Sequence, residues 1–165
     1  MKNTTTATFG SVLCAGERGT ADHGWFKANF TFCFAGDLQH VSPGSGVTHS
    51  EFNPSDENPT TLYQIWLQSK PPGGEPCYAE KPLADGTRED ALTLLFSGDG
   101  IDGSTEIRQN AEIYCGKAEA GTLLEAPASE TIPNAWLQVI EGELEVLYYG
   151  WRSINFSLSS NKQTP

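Results

Sequence analysis

Apolar and polar residues alternate along several short stretches of this chain, which is the pattern of a β-strand. Phe30, Phe32 and Phe34 alternate with Thr31 and Cys33, so successive side chains would project to opposite faces of a sheet. No stretch has the apolar stripe and the caps of a helix. The pattern predicts an all-β protein whose strands have the spacing of a sandwich or a barrel. Further strands are predicted at residues 47–52, 61–68, 91–96 and 106–114, and a hairpin with arms at 136–140 and 143–149.

Clusters of glycine and proline predict where the chain turns and where it divides. Residues 42–46 (Ser-Pro-Gly-Ser-Gly) predict a turn, and the sequence Ser-Lys-Pro-Pro-Gly-Gly-Glu-Pro is the best linker candidate. The end of the chain, from residue 159 onward, is predicted to be disordered. The predicted organisation is a first region (1–68), a linker (69–76), a second region (77–149) and a tail (150–165).

Composition and charge exclude several classes of partner. The 165 residues offer room for one domain or two very small ones, and a net charge of -11 predicts a surface that repels the phosphates of nucleic acids. The apolar runs fall far short of the ~20 residues that span a bilayer, and no signal peptide is expected from the polar N-terminal residues. No CxxC pair occurs among Cys14, Cys33, Cys77 and Cys115, so neither a cysteine-based zinc site nor a thioredoxin-like motif is expected. The default expectation is a cytoplasmic protein with reduced thiols.

The first candidates for chemistry are His49 and Glu51. On a strand, residues i and i+2 project from the same face, so the imidazole and the carboxylate could converge on one iron, manganese or nickel ion. A site with two histidines and a carboxylate needs another histidine, and the chain holds only His23 and His40 besides, with no HxH pair. The sequence favours the alternative that both side chains only form hydrogen bonds at the mouth of a barrel.

Other candidate residues have simpler structural explanations. Ser45 lies between two glycines but lacks the G-x-S-x-G pattern of a hydrolase nucleophile. Asp99 and Asp102 fall in a glycine-rich stretch whose spacing does not fit a calcium-binding EF-hand, so a plain turn is predicted. Cys33 lies among aromatic residues, and we expect it in the core.

A longer stretch around His49 resembles the pirin family of bicupin proteins. Residues 39–53 read Q-H-V-S-P-G-S-G-V-T-H-S-E-F-N, similar to the family pattern Q-x-M-x-A-G-x-G-x-x-H-S-E-(F/Y)-N. The family's Q-I-W strand follows at residues 64–66. Blocks at 17–34 and 76–144 also resemble the family, and in the same order. The resemblance covers most of the chain.

The resemblance implies a cupin, or jelly-roll-like, fold whose first cupin holds one iron ion through three histidines and a glutamate. His49 and Glu51 match the third and fourth of these ligands. The H-P-H-R motif that supplies the other two is absent, and it would fall between Gly36 and Asp37. Residues 150–158 do not match the family's closing strands. Both barrels are therefore expected to be internally or C-terminally truncated.

Incomplete barrels expose unpaired backbone groups and apolar core, which association would cover. We expect a homodimer that pairs an edge strand or swaps one across the 69–76 linker. A small apolar ligand or a different protein could cover the surface instead.

Three functional hypotheses follow. The favoured one is a pirin-like protein, without metal or catalysis, that acts in binding or assembly. The second is an iron-dependent enzyme, similar to the quercetin dioxygenases of the family, that adds His40 or His23 to His49 and Glu51. The third is a recombined gene product, of the type that a mobile cassette produces, with a folded core and no selected activity.

Overall fold

The computed structural model describes most of the second half of the chain and separate parts of the first half. The described residues are 4–6, 10–13, 21–22, 32–33, 36–49, 53, 55–68, 73–83, 90–127, 130–148 and 154–158.

The secondary structure of these residues is almost entirely β, as the alternation predicts. It comprises fourteen strands and one short 3-10 helix, η1 (Ile101–Gly103). In the described part of the chain, no helix is long and apolar enough to cross a membrane. The strands are β1 (Thr4–Thr6), β2 (Gly10–Leu13), β3 (Ala21–Asp22), β4 (Phe32–Cys33), β5 (Asp37–Ser42), β6 (Val47–His49), β7 (Tyr63–Ile65), β8 (Cys77–Pro82), β9 (Ala91–Ser97), β10 (Thr105–Glu106), β11 (Glu112–Lys117), β12 (Leu123–Ala126), β13 (Leu144–Tyr148) and β14 (Ile154–Leu158).

β5 is a central strand of a four-stranded sheet in the order β7-β2-β5-β8, in which all the pairs are antiparallel. In its register with β8, His40 lies opposite Ala79, and Ser42 lies opposite Cys77. Two shorter antiparallel pairs join β1 to β6 and β3 to β4. The strand that carries the start of the family signature is therefore held on both sides by backbone hydrogen bonds.

β9 is the centre of a second sheet, in the order β10-β9-β11, and its bounds agree closely with the predicted strand at 91–96. The strand predicted at 106–114 is interrupted. Between β10 and β11 the chain bends, and the Ile107 N–H donates to the Ser97 carbonyl at 2.8 Å. This bend places the Ile107 side chain in the core.

A third sheet has the order β12-β14-β13, and it corrects the predicted hairpin. The second arm of that hairpin does form a strand, but β13 pairs with β14, while residues 136–140 are not in a strand. The predicted tail thus supplies the central strand of this sheet. Residues 159–165, where disorder is predicted, lie outside the described residues.

The hydrophobic core joins the first sheet to the second. Leu38 of β5 packs with Leu95 and Phe96 of β9 and with Ile107. This core connects the regions predicted at 1–68 and 77–149, whose division stays a prediction. Partly buried residues pack against the core: Tyr63, Leu67, Leu83, Ala111, Ile113 and Cys115.

Candidate functional site

The turn between β5 and β6 is held against the end of the predicted linker. The Ser45 N–H donates to the Gly74 carbonyl at 2.9 Å, and the Gly46 N–H donates to the Pro43 carbonyl at 2.8 Å. Gly44 has φ +56, and a Cβ there would lie 2.2 Å from the Gly74 carbonyl oxygen. The close approach of two backbone segments therefore requires glycine at this position.

The predicted metal pair begins at the end of β6. The backbone of His49 pairs with Thr4 of β1. The side chain of His49, the whole of Glu51 and the whole of His23 lie outside the described residues, so their role as metal ligands stays a prediction. Across the described ranges, no group of three or more histidine, cysteine, aspartate or glutamate side chains comes together as a metal site.

His40, the remaining histidine of the chain, lies in the packing between β5 and β9. It is only 6% exposed, and the centroid of its ring lies 6.2 Å from that of Phe96, with the planes inclined by 53°. Among the described atoms, Nδ1 of His40 has no hydrogen-bond partner. Burial lowers the pKa of His40 below its ordinary value, and the positive charge of Arg108 lowers it further. The ring is therefore neutral at pH 7.

Arg108 ties the loop before β8 to the second sheet. Its Nη1 donates to the Gly73 carbonyl at 3.2 Å, and its Nη2 donates to the Glu75 carbonyl at 2.9 Å. Sequence reasoning missed this residue, because the two carbonyls lie more than thirty positions away along the chain. The end of the predicted linker at 73–76 is thus fixed in place.

The face of β5 opposite to His40 carries a chain of hydrogen bonds between polar side chains. Gln39 is completely buried, and its Nε2 donates to the hydroxyl of Tyr78 at 2.7 Å. That hydroxyl donates in turn to Oε2 of Glu80, also at 2.7 Å. In the sequence Gln39 is only the first residue of the family signature, whereas in the structure its side chain donates a hydrogen bond to a tyrosine of β8.

The glycine-rich stretch around Asp99 is a turn, as the sequence predicts. The hydroxyl of Ser97 donates to Oδ1 of Asp99 at 2.9 Å and lies 2.8 Å from the Ser104 hydroxyl. Asp102 lies inside η1 with φ 52. These hydrogen bonds account for the side chains of Ser97, Asp99 and Ser104.

Two of the four cysteines have described side chains. Cys77 is exposed and Cys115 is half-buried, and both are free thiols. Burial raises the pKa of the Cys115 thiol, so it is protonated at neutral pH. The side chains of Cys14 and Cys33 lie outside the described part, so the predicted core position of Cys33 stays a prediction.

The segment before β13 exposes large apolar side chains. Trp136 is 90% exposed, the largest exposure among the large apolar side chains that are described. The chain just before Trp136 is held by Asn110, whose Nδ2 donates a hydrogen bond to the Thr131 carbonyl at 3.0 Å. An apolar surface of this kind is uncommon on a protein that has no partner. Its other members are Leu137, Val139, Ile140 and, on β13, Val146.

Two family models match the chain one after the other. The model described as Pirin matches residues 12–67, and the model described as Quercetinase C-terminal cupin domain matches residues 94–149. A protein of Pasteurella multocida (strain Pm70) is 37% identical over 133 residues, which are 78% of this chain and 54% of that protein. The chain belongs to the pirin family. The resemblance based on residues 39–53 is thereby confirmed, and β14 lies beyond the end of the second match.

Another relative carries the name of an activity. The quercetin 2,3-dioxygenase of Escherichia coli (strain K12) is 31% identical over 134 residues, again 78% of this chain and 54% of that protein. The chain spans about half the length of the curated relatives it matches.

Solved structures of the family share the fold. The crystal structure of YhhW from Escherichia coli superposes with a TM-score of 0.80 at 24% identity, covering 96% of this chain and 70% of YhhW. The structure of the bacterial pirin YhhW in complex with nickel(II) gives a TM-score of 0.79 at 23% identity, covering 96% and 71%. These likenesses show an all-β cupin fold.

Proposed function

We propose that this pirin-family protein acts in binding or assembly, without metal and without catalysis. The observation that carries the proposal is the position of His40. Its ring is packed against Phe96 in the core between two sheets, so a role as a metal ligand would require the core to open. Only His23 and His49 remain in the sequence. One chain would then lack the three histidines that the resemblance implies for the family's iron.

The exposed apolar segment at 136–140 supports the binding role. Burial of apolar surface is the main favourable term in most protein associations, and exposed tryptophan is typical of the residues that contribute most. Trp136 is therefore available for contact with a partner.

A second candidate function is an iron-dependent dioxygenase similar to those that act on quercetin. The observation that favours it is the 31% identity to the quercetin 2,3-dioxygenase of Escherichia coli. In this case His49 and Glu51 would hold the metal, and a further ligand would come from His23 or from a second chain.

Metal analysis and oxygen uptake distinguish the two candidates. The full chain is expressed with iron or nickel in the medium, its metal content is measured, and oxygen consumption is followed with quercetin. We expect the same low metal content in the wild type and in His49→Ala, and no oxygen consumption above that of free metal. Stoichiometric iron and quercetin-dependent oxygen uptake that His49→Ala abolishes, but His40→Leu does not, would overturn the proposal.

We also propose a homodimer formed through an edge of the four-stranded sheet. Within the described ranges, β7 and β8 each have a neighbour on one side only, so their outer backbone groups can pair with another copy. Light scattering after gel filtration should give twice the chain mass. A folded monomer at micromolar concentration contradicts the dimer but leaves the non-catalytic function standing.

The proposed location is the cytoplasm. The free thiols of Cys77 and Cys115 support it, since reduced cysteines are the usual state there. Cell fractionation tests this location.

A further inference from the structure

The exposed apolar segment leads directly into a strand at the edge of a sheet. β13 pairs with β14 on one side, and no other described strand pairs with it. Val146, near the middle of β13, is 52% exposed. An edge strand with exposed apolar residues is a template onto which another extended chain can add through backbone hydrogen bonds.

The sequence that leads into this edge carries charge of one sign only. Between residues 118 and 151 the chain contains six glutamates and no aspartate, lysine or arginine. Two of the glutamates, Glu141 and Glu145, are exposed beside Ile140 and Val146. We call the surface formed by residues 136–141 and β13 the acidic apolar surface.

We propose that the acidic apolar surface binds an extended, basic segment of another protein, in which apolar residues alternate with lysine or arginine and which adds to β13 as a further strand. The inference rests on the proposed binding function and names its partner class. Alternation suits the pleat of a strand, because apolar side chains on one face meet Val146 and the 136–140 segment while basic side chains lie within reach of the glutamates.

A second copy of this chain fits the same surface less well. Its own acidic apolar surface would bring glutamates against glutamates, on top of a net charge of -11 on each chain. Like charges placed together at an interface oppose association. The two occupants respond oppositely to salt, since screening weakens attraction to a basic segment and relieves repulsion between two acidic copies.

The test uses a fluorescein-labelled peptide in which lysine and valine alternate, added to the full-length chain and followed by fluorescence anisotropy. We expect saturable binding that weakens as sodium chloride rises. Two matched peptides, one with glutamate for lysine and one with serine for valine, should bind at least about tenfold more weakly. Peptides that are N-methylated on alternate residues test strand addition. Methylation of the residues whose N–H groups face β13 removes the hydrogen-bond donors of the peptide and should abolish binding.

Matched variants locate the binding site. Glu145→Lys should lower the affinity for the lysine–valine peptide about threefold to fivefold, which is the size of the contribution of a surface ion pair. Trp136→Ser should lower the same affinity about tenfold or more. Glu57→Lys and Trp66→Ser change exposed residues elsewhere and should leave the affinity unchanged. Circular dichroism checks that each variant has the wild-type fold.

Several results would overturn the inference. The first is that the acidic peptide binds as tightly as the lysine–valine peptide. The second is that the Glu145→Lys and Trp136→Ser variants bind the lysine–valine peptide as tightly as the wild type does. The third is that the chain self-associates more strongly as salt rises and that Trp136→Ser abolishes this self-association. The metal and oxygen measurements decide the proposed function separately. If the chain is metal-free and inactive but does not bind the basic peptide, only the proposed partner class is refuted. If the chain turns over quercetin in an iron-dependent way, the proposed function is refuted, regardless of the result with the peptide.

Discussion

Replacing His40 by leucine should remove part of the pH dependence of folding. The imidazole is buried against Phe96, and burial together with Arg108 lowers its pKa in the folded protein. In the unfolded chain the pKa returns to its ordinary value of 6.5. Above that pH the ring is neutral in both states. Below it the unfolded chain binds a proton that the folded protein does not, so stability falls as the pH falls, until the folded pKa is reached.

The magnitude follows from the binding of one proton. Each pH unit below 6.5 should lower the free energy of unfolding by at most about 1.4 kcal/mol through His40. A typical domain has about 5–15 kcal/mol in total, so the loss is easily measured. With a urea m-value of about 2 kcal/mol/M, the midpoint of unfolding moves by about 0.7 M per pH unit. His40→Leu also removes a buried polar atom without a described partner, and should be at least as stable as the wild type at pH 7.5.

The assay is urea unfolding followed by tryptophan fluorescence at a series of pH values between 5.5 and 7.5. Carboxylates titrate mainly below this window, and the other two histidines are present in both proteins. The difference in slope between the wild type and His40→Leu therefore reports His40 alone. Identical slopes below pH 6.5 would refute the buried, neutral state of this ring.

Three further predictions follow from particular contacts. Arg108→Gln removes a positive charge that acts on His40 and should raise the pKa of its ring, as measured by the pH dependence of its NMR signals; an unchanged pKa would show that the charge has no influence. Gly44→Ala should destabilise the chain by about 1–3 kcal/mol in urea unfolding, because the new methyl group meets a carbonyl oxygen at 2.2 Å. The control variant Gly36→Ala should destabilise it less, because φ is also positive at Gly36 but nothing lies within 4 Å of the new methyl group. A chain that ends at residue 149 loses β14, the central strand of its sheet, and should melt at a clearly lower temperature than a chain that ends at residue 158; equal melting temperatures would contradict the pairing.

The candidate site was only partly predictable from the sequence. The signature at 39–53 indicated the family and the turn, and both agree with the structure and the comparisons. No local pattern indicates that His40 packs against Phe96, because the two residues are far apart in the chain and either could have faced solvent. The hydrogen bonds of Arg108 were equally hidden, since nothing local distinguishes this arginine from an exposed one.

The sequence by itself determined the class of fold, because alternation of apolar and polar residues is a local property of each strand. It predicted the strand at β9 almost to its ends and the glycine-rich turn after β5. Only the tertiary structure decided which strands pair. Local alternation made residues 136–140 the natural partner of β13, yet β13 pairs with β14. The choice of a sheet partner depends on contacts between distant segments, and those contacts also bury both faces of β5 and leave Trp136 exposed.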